Sequence, residues 1–228
     1  VEFAKAPTGS ESPILFDLTV TGETMEVPPP DDCVQENRRA PGSLLLFPEF
    51  DNTVGCVTVL TVTNQQHFGD DVMVEFIYID EDDCEEFNRT ERFTPNDTLT
   101  LLVEAHNPNM ERGYVYAFAK ATRGGPVVHN HLIGNLLVVD GFEAFEYSVN
   151  PVSFAGIGDE GASTDADGDD VRDLDGVEYG MAPDKILVPR FLGQSENEPE
   201  ASGAFTESEL IVLGLTGGQE FDTTLDFL

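Results

Sequence analysis

Residues 56–64 read CVTVLTVTN and residues 72–80 read VMVEFIYID, and these two stretches decide the fold. Side chains on alternate positions fall into two sets in each stretch, which is the period of a β-strand. In the first stretch, one face carries Val57, Val59, Thr61 and Thr63, and the other carries Thr58, Leu60 and Val62. Residues 65–71 would form the turn between them, so the spacing predicts a β-hairpin.

Similar short apolar runs continue on both sides of this pair. Ser43–Phe50 reads as a buried strand that Pro48 interrupts, which indicates a strand at a sheet edge or one that crosses between sheets. The acidic run 80–86 reads as a solvated loop. Further strands are predicted over residues 98–104, 114–120, 127–133, 136–139 and 143–149. Turn signals such as Gly124-Gly125 separate them, so residues 43–150 are predicted to form an immunoglobulin-like or jelly-roll β-sandwich.

The sequence predicts an all-β chain with two tandem sandwich domains, the second of them incomplete. Residues 185–193 (KILVPRFLG) repeat the pattern of residues 44–52 (LLLFPEFDN), which favours an internal repeat. The predicted parts are an N-terminal strand and linker over 1–42, domain 1 over 43–150, an acidic joint over 151–182 and a partial second domain over 183–228. Because the second copy stops within an apolar strand, we expect either a longer native chain or a partner chain that completes the sheet.

The charge of the chain is its most extreme property. It has 44 acidic against 11 basic side chains, for a net charge of −33. Nucleic acid is excluded as a partner, because phosphate binding needs clustered Lys and Arg, and anionic membrane surfaces would repel the chain. No run of about 18 apolar residues predicts a membrane span. The acidity fits either a saline habitat or the binding of cations, and Val1 opens directly into mixed sequence, as in a processed mature chain.

Residues 163–180, STDADGDDVRDLDGVEYG, place carboxylates at every second position, which suits a hard cation such as Ca²⁺. The predicted ligands are Asp165, Asp167, Asp169, the backbone carbonyl of Val171, Asp173 and Asp175. The stretch resembles EF-hand and thrombospondin type 3 calcium loops. It departs from the EF-hand pattern because Asp170 stands where Gly is expected and Gly176 where a bidentate Glu is needed. Asp175 or Glu178 would then supply the late carboxylate. A solvated acidic linker is the alternative.

Other candidate sites are weaker. His129 and His131 would share one face of a strand and could bind a transition metal with His106, but ordinary surface or core histidines are the favoured explanation. One disulfide is possible among three cysteines, and Cys84 could pair with Cys33 or Cys56. Asn88 and Asn96 begin glycosylation acceptor patterns, although Asn96 also fits a plain turn.

No sequence motif of an enzyme is evident. A nucleophile elbow, a phosphate-binding loop, a dinucleotide fingerprint and a zinc-protease motif are all missing. Paired carboxylates are so common in this chain that they single out no glycosidase pair. We therefore predict that the protein is not an enzyme.

Residues 42–150 also resemble a group of uncharacterised secreted bacterial β-sandwich proteins. The likeness lies in PEFDN at 48–52, TVTN at 61–64, EFNRT at 86–90, TPNDT at 94–98 and FEAFEY at 142–147. It covers about half of the chain. The resemblance implies export and an extracellular or cell-surface location, and it carries over no activity.

Together these features predict a secreted structural subunit of an extracellular or cell-surface filament or fibre, assembled from copies of itself. Residues 14–27 are the candidate donor strand, the incomplete second domain is the candidate acceptor, and divalent cations would brace the joint. The alternative is a calcium-dependent adhesion or glycan- or protein-binding module. A secreted hydrolase is a third and weaker expectation.

Overall fold

The computed structural model describes residues 40–182, except Asp83 and Glu143, together with Ile211 and Leu213. The chain divides into two compact units, and nearly all described residues belong to the unit formed by Glu36–Ala182 with Leu213–Gln219. The candidate donor strand, residues 14–27, and most of the predicted second domain, residues 183–228, lie outside the described residues.

The described residues form an all-β sandwich of two antiparallel sheets, which confirms the predicted fold class. Its strands in chain order are β1 Leu44–Asp51, β2 Cys56–Asn64, β3 Val72–Asp80, β4 Glu86–Phe93, β5 Thr98–Leu102, β6 Arg112–Lys120, β7 Leu132–Asp140, β8 Phe145–Val149 and β9 Val152–Phe154. One sheet has the strand order β4-β3-β6-β1-β9 and the other has the order β5-β2-β7-β8.

A short helix, α1 (Val103–His106), follows β5. With four residues it is far shorter than the roughly 20 residues that a membrane-spanning helix needs, and no helix among the described residues is long and apolar enough to cross a membrane.

The core lies between the two sheets, where each strand turns one of its two faces inward. β2 buries Leu60 and Val62, and β3 buries Val74, Phe76 and Tyr78. Phe47 of β1 packs in the same cluster. Burying each such side chain contributes about 1.5–3 kcal/mol, so this cluster dominates the stability of the unit.

The predicted hairpin between residues 56–64 and 72–80 is wrong. β2 pairs with β5 and β7, whereas β3 pairs with β4 and β6 in the other sheet. The link over residues 65–71 therefore crosses from one sheet to the other. An alternating sequence shows that a strand has one buried face. Two paired neighbours in one sheet have this pattern, and so do two strands that face the same core from opposite sheets.

Other predicted elements are shifted. β4 was predicted as loop at its start, because most of its side chains are polar and lie at the surface of the sandwich. The strand expected over 98–104 ends at Leu102, and α1 begins at Val103. Most of 127–133 is not strand: Val127 forms an isolated bridge with Ser163, and β7 starts at Leu132.

β1 as a whole lies between β6 and β9 and is not an edge strand, but at Pro48 only β6 runs alongside it. Pro48 has no N–H to donate to a neighbour. The pairing of β1 with β6 accordingly shifts register between Phe47, opposite Val115, and Phe50, opposite Gly113. β9 pairs only with Leu44–Leu46 and ends before Pro48.

The sandwich extends beyond the predicted boundary at residue 150. β9 pairs with β1, and the segment that follows covers the outer face of the five-stranded sheet. Tyr179 is fully buried there, and Leu174 and Ala182 pack beside it. The segment after β9, residues 155–182, thus forms a third layer of the same unit, whereas the sequence predicted a joint between two domains over residues 151–182.

Candidate cation sites

Both ends of the acidic loop, residues 163–180, are fixed to the sandwich. Ser163 forms a bridge with Val127, and Tyr179 forms one with Gly156. The Tyr179 hydroxyl hydrogen-bonds to Thr164 Oγ1 at 2.8 Å, and both side chains are buried. The sheet therefore determines where the intervening carboxylates lie.

Gly156 allows this close approach. A Cβ at this position would lie 2.8 Å from Ser43 Oγ and 3.1 Å from Thr164 Cγ2. Its N–H also donates to Asn130 Oδ1 at 2.7 Å. A larger residue would force the loop away from the sheet, so the position of the acidic loop depends on this glycine.

Five carboxylates of the acidic loop converge in two overlapping groups. One group is formed by Asp165, Asp167 and Glu178, and the other by Asp167, Asp169 and Asp173. Within each group, one oxygen of every carboxylate lies within 4.8 Å of the others. The structure thus brings together four of the predicted side-chain ligands, and we call these five residues the carboxylate cluster.

Glu178 is the buried member of the carboxylate cluster, with 4% of its surface exposed. Its Oε1 accepts a hydrogen bond from the backbone N–H of Ala166, and its Oε2 accepts one from that of Asp173 at 3.3 Å. The sequence offered Asp175 or Glu178 as the late carboxylate. The structure brings Glu178 to the cluster, two residues beyond the EF-hand position.

Asp170 occupies the position at which an EF-hand has glycine. Its φ is +62°, in the left-handed region, which Asp adopts more readily than most residues. Although Asp170 replaces the glycine of the EF-hand pattern, the backbone therefore still makes a sharp turn at this position.

One predicted side-chain ligand, Asp175, is not part of the carboxylate cluster. The Val171 carbonyl oxygen accepts a hydrogen bond from Arg172 Nε at 2.9 Å. Asp175 Oδ1 accepts from the backbone N–H of Val177 at 2.7 Å. The Arg172 guanidinium itself lies 5.1 Å from the centre of the Phe118 ring, so this cation packs on the sheet.

The electrostatics of the carboxylate cluster favour a cation. Loss of solvation raises the pKa of the Asp173 carboxyl, and the negative charges of Asp169, Asp175 and Asp167 raise it further. Like charges at this spacing repel, and a divalent cation between them removes that repulsion.

A second cluster of polar side chains surrounds His129. The buried ring places Nδ1 at 2.9 Å from Glu160 Oε1 and Nε2 at 3.0 Å from Asn64 Oδ1. His131 Nε2 lies 3.8 Å from the same Glu160 oxygen. Burial lowers the pKa of His129, although the Glu160 carboxylate acts in the opposite direction. We call His129, His131 and Glu160 the His129 centre.

The backbone around the His129 centre is held by Ser43. Its Oγ accepts from the backbone N–H of His129 at 2.7 Å and donates to Asn130 Oδ1 at 2.7 Å. The prediction of a shared strand face for His129 and His131 is wrong, yet both rings reach Glu160. No sequence signal singled out Glu160, because the contact joins positions 31 apart.

His106 belongs to a different site, so it is not the third ligand that the sequence suggested. Its Nδ1 lies 2.7 Å from the Tyr78 hydroxyl and its Nε2 lies 3.3 Å from Glu91 Oε1. Arg89 donates to the His106 carbonyl oxygen at 2.9 Å. Burial lowers the pKa of His106. These contacts bind β3, β4 and α1 together.

The remaining candidates lie apart from both clusters. Cys56 and Cys84 are free thiols, and Cys33 lies outside the described residues. Asn88 is exposed on β4. Asn96 is exposed in a turn with φ of +60°, and its Nδ2 donates to the His67 carbonyl oxygen at 3.3 Å. Both asparagines are accessible as acceptors for a glycan.

Comparisons with known proteins add little to this geometry. No protein-family model matches the chain, and no curated protein matches it. Among solved structures, a crystal structure of Thermotoga maritima 1070 is similar over 54% of this chain and 98% of that chain, with 13% sequence identity and a TM-score of 0.40. A likeness at this TM-score supports no conclusion about fold or function.

Proposed function

We propose that this protein is a structural subunit of an extracellular or cell-surface assembly, and that Ca²⁺ braces its β-sandwich at the acidic loop. Asp165, Asp167 and Glu178 hold the ion, with Asp169 and Asp173 beside it. The observation that carries the proposal is the buried Glu178 carboxylate, which lies beside Asp165 and Asp167 in a loop bridged at its two ends to Val127 and Gly156. Oxygen ligands of this kind are those that Ca²⁺ prefers.

The role of the ion is mechanical. The acidic loop and the residues after it cover the outer face of the five-stranded sheet through Leu174, Tyr179 and Ala182. Without a cation, repulsion among the carboxylates works against this cover. With Ca²⁺ bound, the cover is stabilised and the subunit is stiffened, as a subunit of a filament under tension requires.

Assembly by strand addition is the second part of the proposal. In a sandwich, the strands at the sheet edges can receive a further strand from another chain. Residues 14–27 remain the candidate donor and the second domain the candidate acceptor. The partner is another copy of this chain, outside the cell.

The test is electron microscopy and analytical ultracentrifugation of the full-length chain in millimolar Ca²⁺ and in chelator. We expect ordered filaments or oligomers in Ca²⁺ and their loss in chelator. A variant lacking residues 14–27 should remain monomeric in Ca²⁺. A full-length chain that stays monomeric at high concentration in both conditions would overturn the assembly role.

An exposed apolar tip favours the alternative, a calcium-dependent adhesion or binding module. Val54 and Phe142 are largely exposed, and the Phe142 ring packs over Gly55. The two loops are joined by the Gly141 N–H, which donates to the Gly55 carbonyl oxygen at 2.8 Å. Paired apolar loop tips of this kind suit contact with a partner surface. Glycan-array binding in Ca²⁺ that the paired substitution Val54→Ser and Phe142→Ser abolishes would support this function.

A further inference from the structure

The orientation of the Asn64 side chain is fixed by backbone groups. Its Nδ2 donates to the Thr94 carbonyl oxygen at 3.1 Å, and its Oδ1 accepts from the backbone N–H of Gln66 at 3.0 Å. A carbonyl oxygen can only accept, and a backbone N–H can only donate. The atom of Asn64 that faces His129 is therefore the acceptor Oδ1.

This orientation determines the tautomer of His129. Because Nε2 lies 3.0 Å from Asn64 Oδ1, Nε2 carries the proton and donates it. In the neutral ring, Nδ1 then has a lone pair. That lone pair faces Glu160 Oε1 at 2.9 Å, so two electron-pair donors meet with no hydrogen between them. A proton or a metal cation must lie at this contact.

The surroundings favour a metal over a proton. His131 presents a second imidazole nitrogen at 3.8 Å from the same Glu160 oxygen, and the centres of the two imidazole rings lie 5.0 Å apart. Two bonds of about 2.0–2.1 Å that meet at a tetrahedral angle place their ligand atoms about 3.3 Å apart. The two separations from Glu160 Oε1, 2.9 and 3.8 Å, bracket this value, and the partly exposed His131 ring must rotate to bring its Nε2 to the same spacing from His129 Nδ1.

We infer that His129 Nδ1, His131 Nε2 and Glu160 Oε1 form a site for a transition-metal dication of the Zn²⁺ class, separate from the carboxylate cluster. His129 supplies the rigid ligand, since its ring is buried and its backbone N–H is bound to Ser43. His131 and Glu160 are partly exposed, and their side chains can close around an ion by rotation. Asn64 is the outer partner that orients a metal-binding histidine.

The site would tie two parts of the chain together. His129 and His131 precede β7, and Glu160 lies in the loop between β9 and the acidic loop. Imidazole and carboxylate ligands suit Zn²⁺, whereas the oxygen-only carboxylate cluster suits Ca²⁺. The same third layer would thus be held by two cations of different chemistry.

The test is a zinc titration of the full-length chain, with its thiols alkylated and with millimolar Ca²⁺ present to occupy the carboxylate cluster. We expect one Zn²⁺ per chain, and a fall in affinity of at least about 10- to 100-fold in Glu160→Gln and in His131→Gln. Both side chains are partly exposed, so the variants should fold. His67→Gln, at an exposed histidine elsewhere, and Asp167→Asn in the carboxylate cluster should leave Zn²⁺ affinity unchanged.

The ¹⁵N spectrum of the imidazoles gives a direct reading. Binding of Zn²⁺ should change the ¹⁵N chemical shift of His129 Nδ1, while the signal of the protonated Nε2 remains. Absence of stoichiometric Zn²⁺ binding would overturn the inference and assign a proton to the contact with Glu160. Zn²⁺ binding that survives Glu160→Gln and His131→Gln, or that Asp167→Asn removes, would overturn it too.

Discussion

The interior of the sandwich and the acidic loop are stabilised by opposite means. Between the sheets, Phe47, Phe76 and Tyr78 are fully buried and need no partner outside the chain. In the acidic loop, five carboxylates converge and repel one another. The first region folds by removing apolar surface from water, and in the proposed function the second is stabilised by a bound cation. This difference predicts that calcium affects one region and not the other.

The largest expected effect lies in the core. Phe47→Ala should destabilise the sandwich by about 3–5 kcal/mol, because it removes a fully buried aromatic side chain and leaves a cavity. Urea unfolding should show the same loss in Ca²⁺ and in chelator. Val57→Ala, at an outward-facing position on β2, should change stability by less than about 0.5 kcal/mol. A loss at Phe47 that depends on calcium would remove the distinction between the regions.

The next effect belongs to the acidic loop. At a Ca²⁺ concentration 100 times the dissociation constant, bound Ca²⁺ should stabilise the wild-type chain by about 2.7 kcal/mol over the chelated form. Glu178→Gln should abolish this gain, since it removes the charge of the buried ligand. The matched control is Glu104→Gln on α1, where the side chain is exposed and far in sequence from the loop. Equal calcium stabilisation in both variants would contradict the proposed site.

A smaller effect tests how the acidic loop is fastened to the sheet. Tyr179→Phe removes the hydrogen bond to Thr164 Oγ1 and should cost about 1 kcal/mol. A double-mutant cycle with Thr164→Val isolates the interaction, and the second substitution should add little once the hydroxyl is gone. Full additivity would show that this hydrogen bond does not hold the loop.

The smallest effect is electrostatic and should change sign with calcium. In chelator at neutral pH, Asp173→Asn should stabilise the protein by less than about 0.5 kcal/mol, because it relieves repulsion. The folded pKa of Asp173 is raised, so the repulsion acts fully above that pKa. The advantage of the variant should therefore fade as the pH falls through the raised pKa towards the ordinary value of 3.8. With saturating Ca²⁺, the variant should become the less stable protein in the same urea titrations.

Much of the fold could be predicted from alternation, but the pairing of strands could not. The stretches CVTVLTVTN and VMVEFIYID form β2 and β3 with the predicted bounds. Their placement in different sheets was missed. A period of two shows which face of a strand is buried, but it does not show which strand pairs with it. β4 escaped notice because EFNRTERF lies at an edge of its sheet and keeps a polar surface.

In the candidate sites too, contacts between residues close in sequence could be predicted and contacts between distant residues could not. The convergence of Asp165, Asp167, Asp169 and Asp173 could be predicted, because these residues are close in sequence and share one loop. The absence of Asp175 from the carboxylate cluster could not, since it depends on the turn in which Asp175 Oδ1 accepts from the Val177 N–H. The meeting of His129 with Glu160 and Asn64 was also out of reach, because it requires the sheets to be assembled.

The most direct test of the account is calcium binding read at the amides that Glu178 holds. Hydrogen exchange at the backbone N–H groups of Ala166 and Asp173 should slow when Ca²⁺ is added to the chelator-treated full-length chain, in parallel with heat of binding in calorimetry. If Ca²⁺ braces the sandwich, both signals should appear in the wild type and in Glu104→Gln, and neither in Glu178→Gln. A wild-type chain that gives no heat and no added protection, or a Glu178→Gln variant that matches it, would contradict the calcium-braced sandwich.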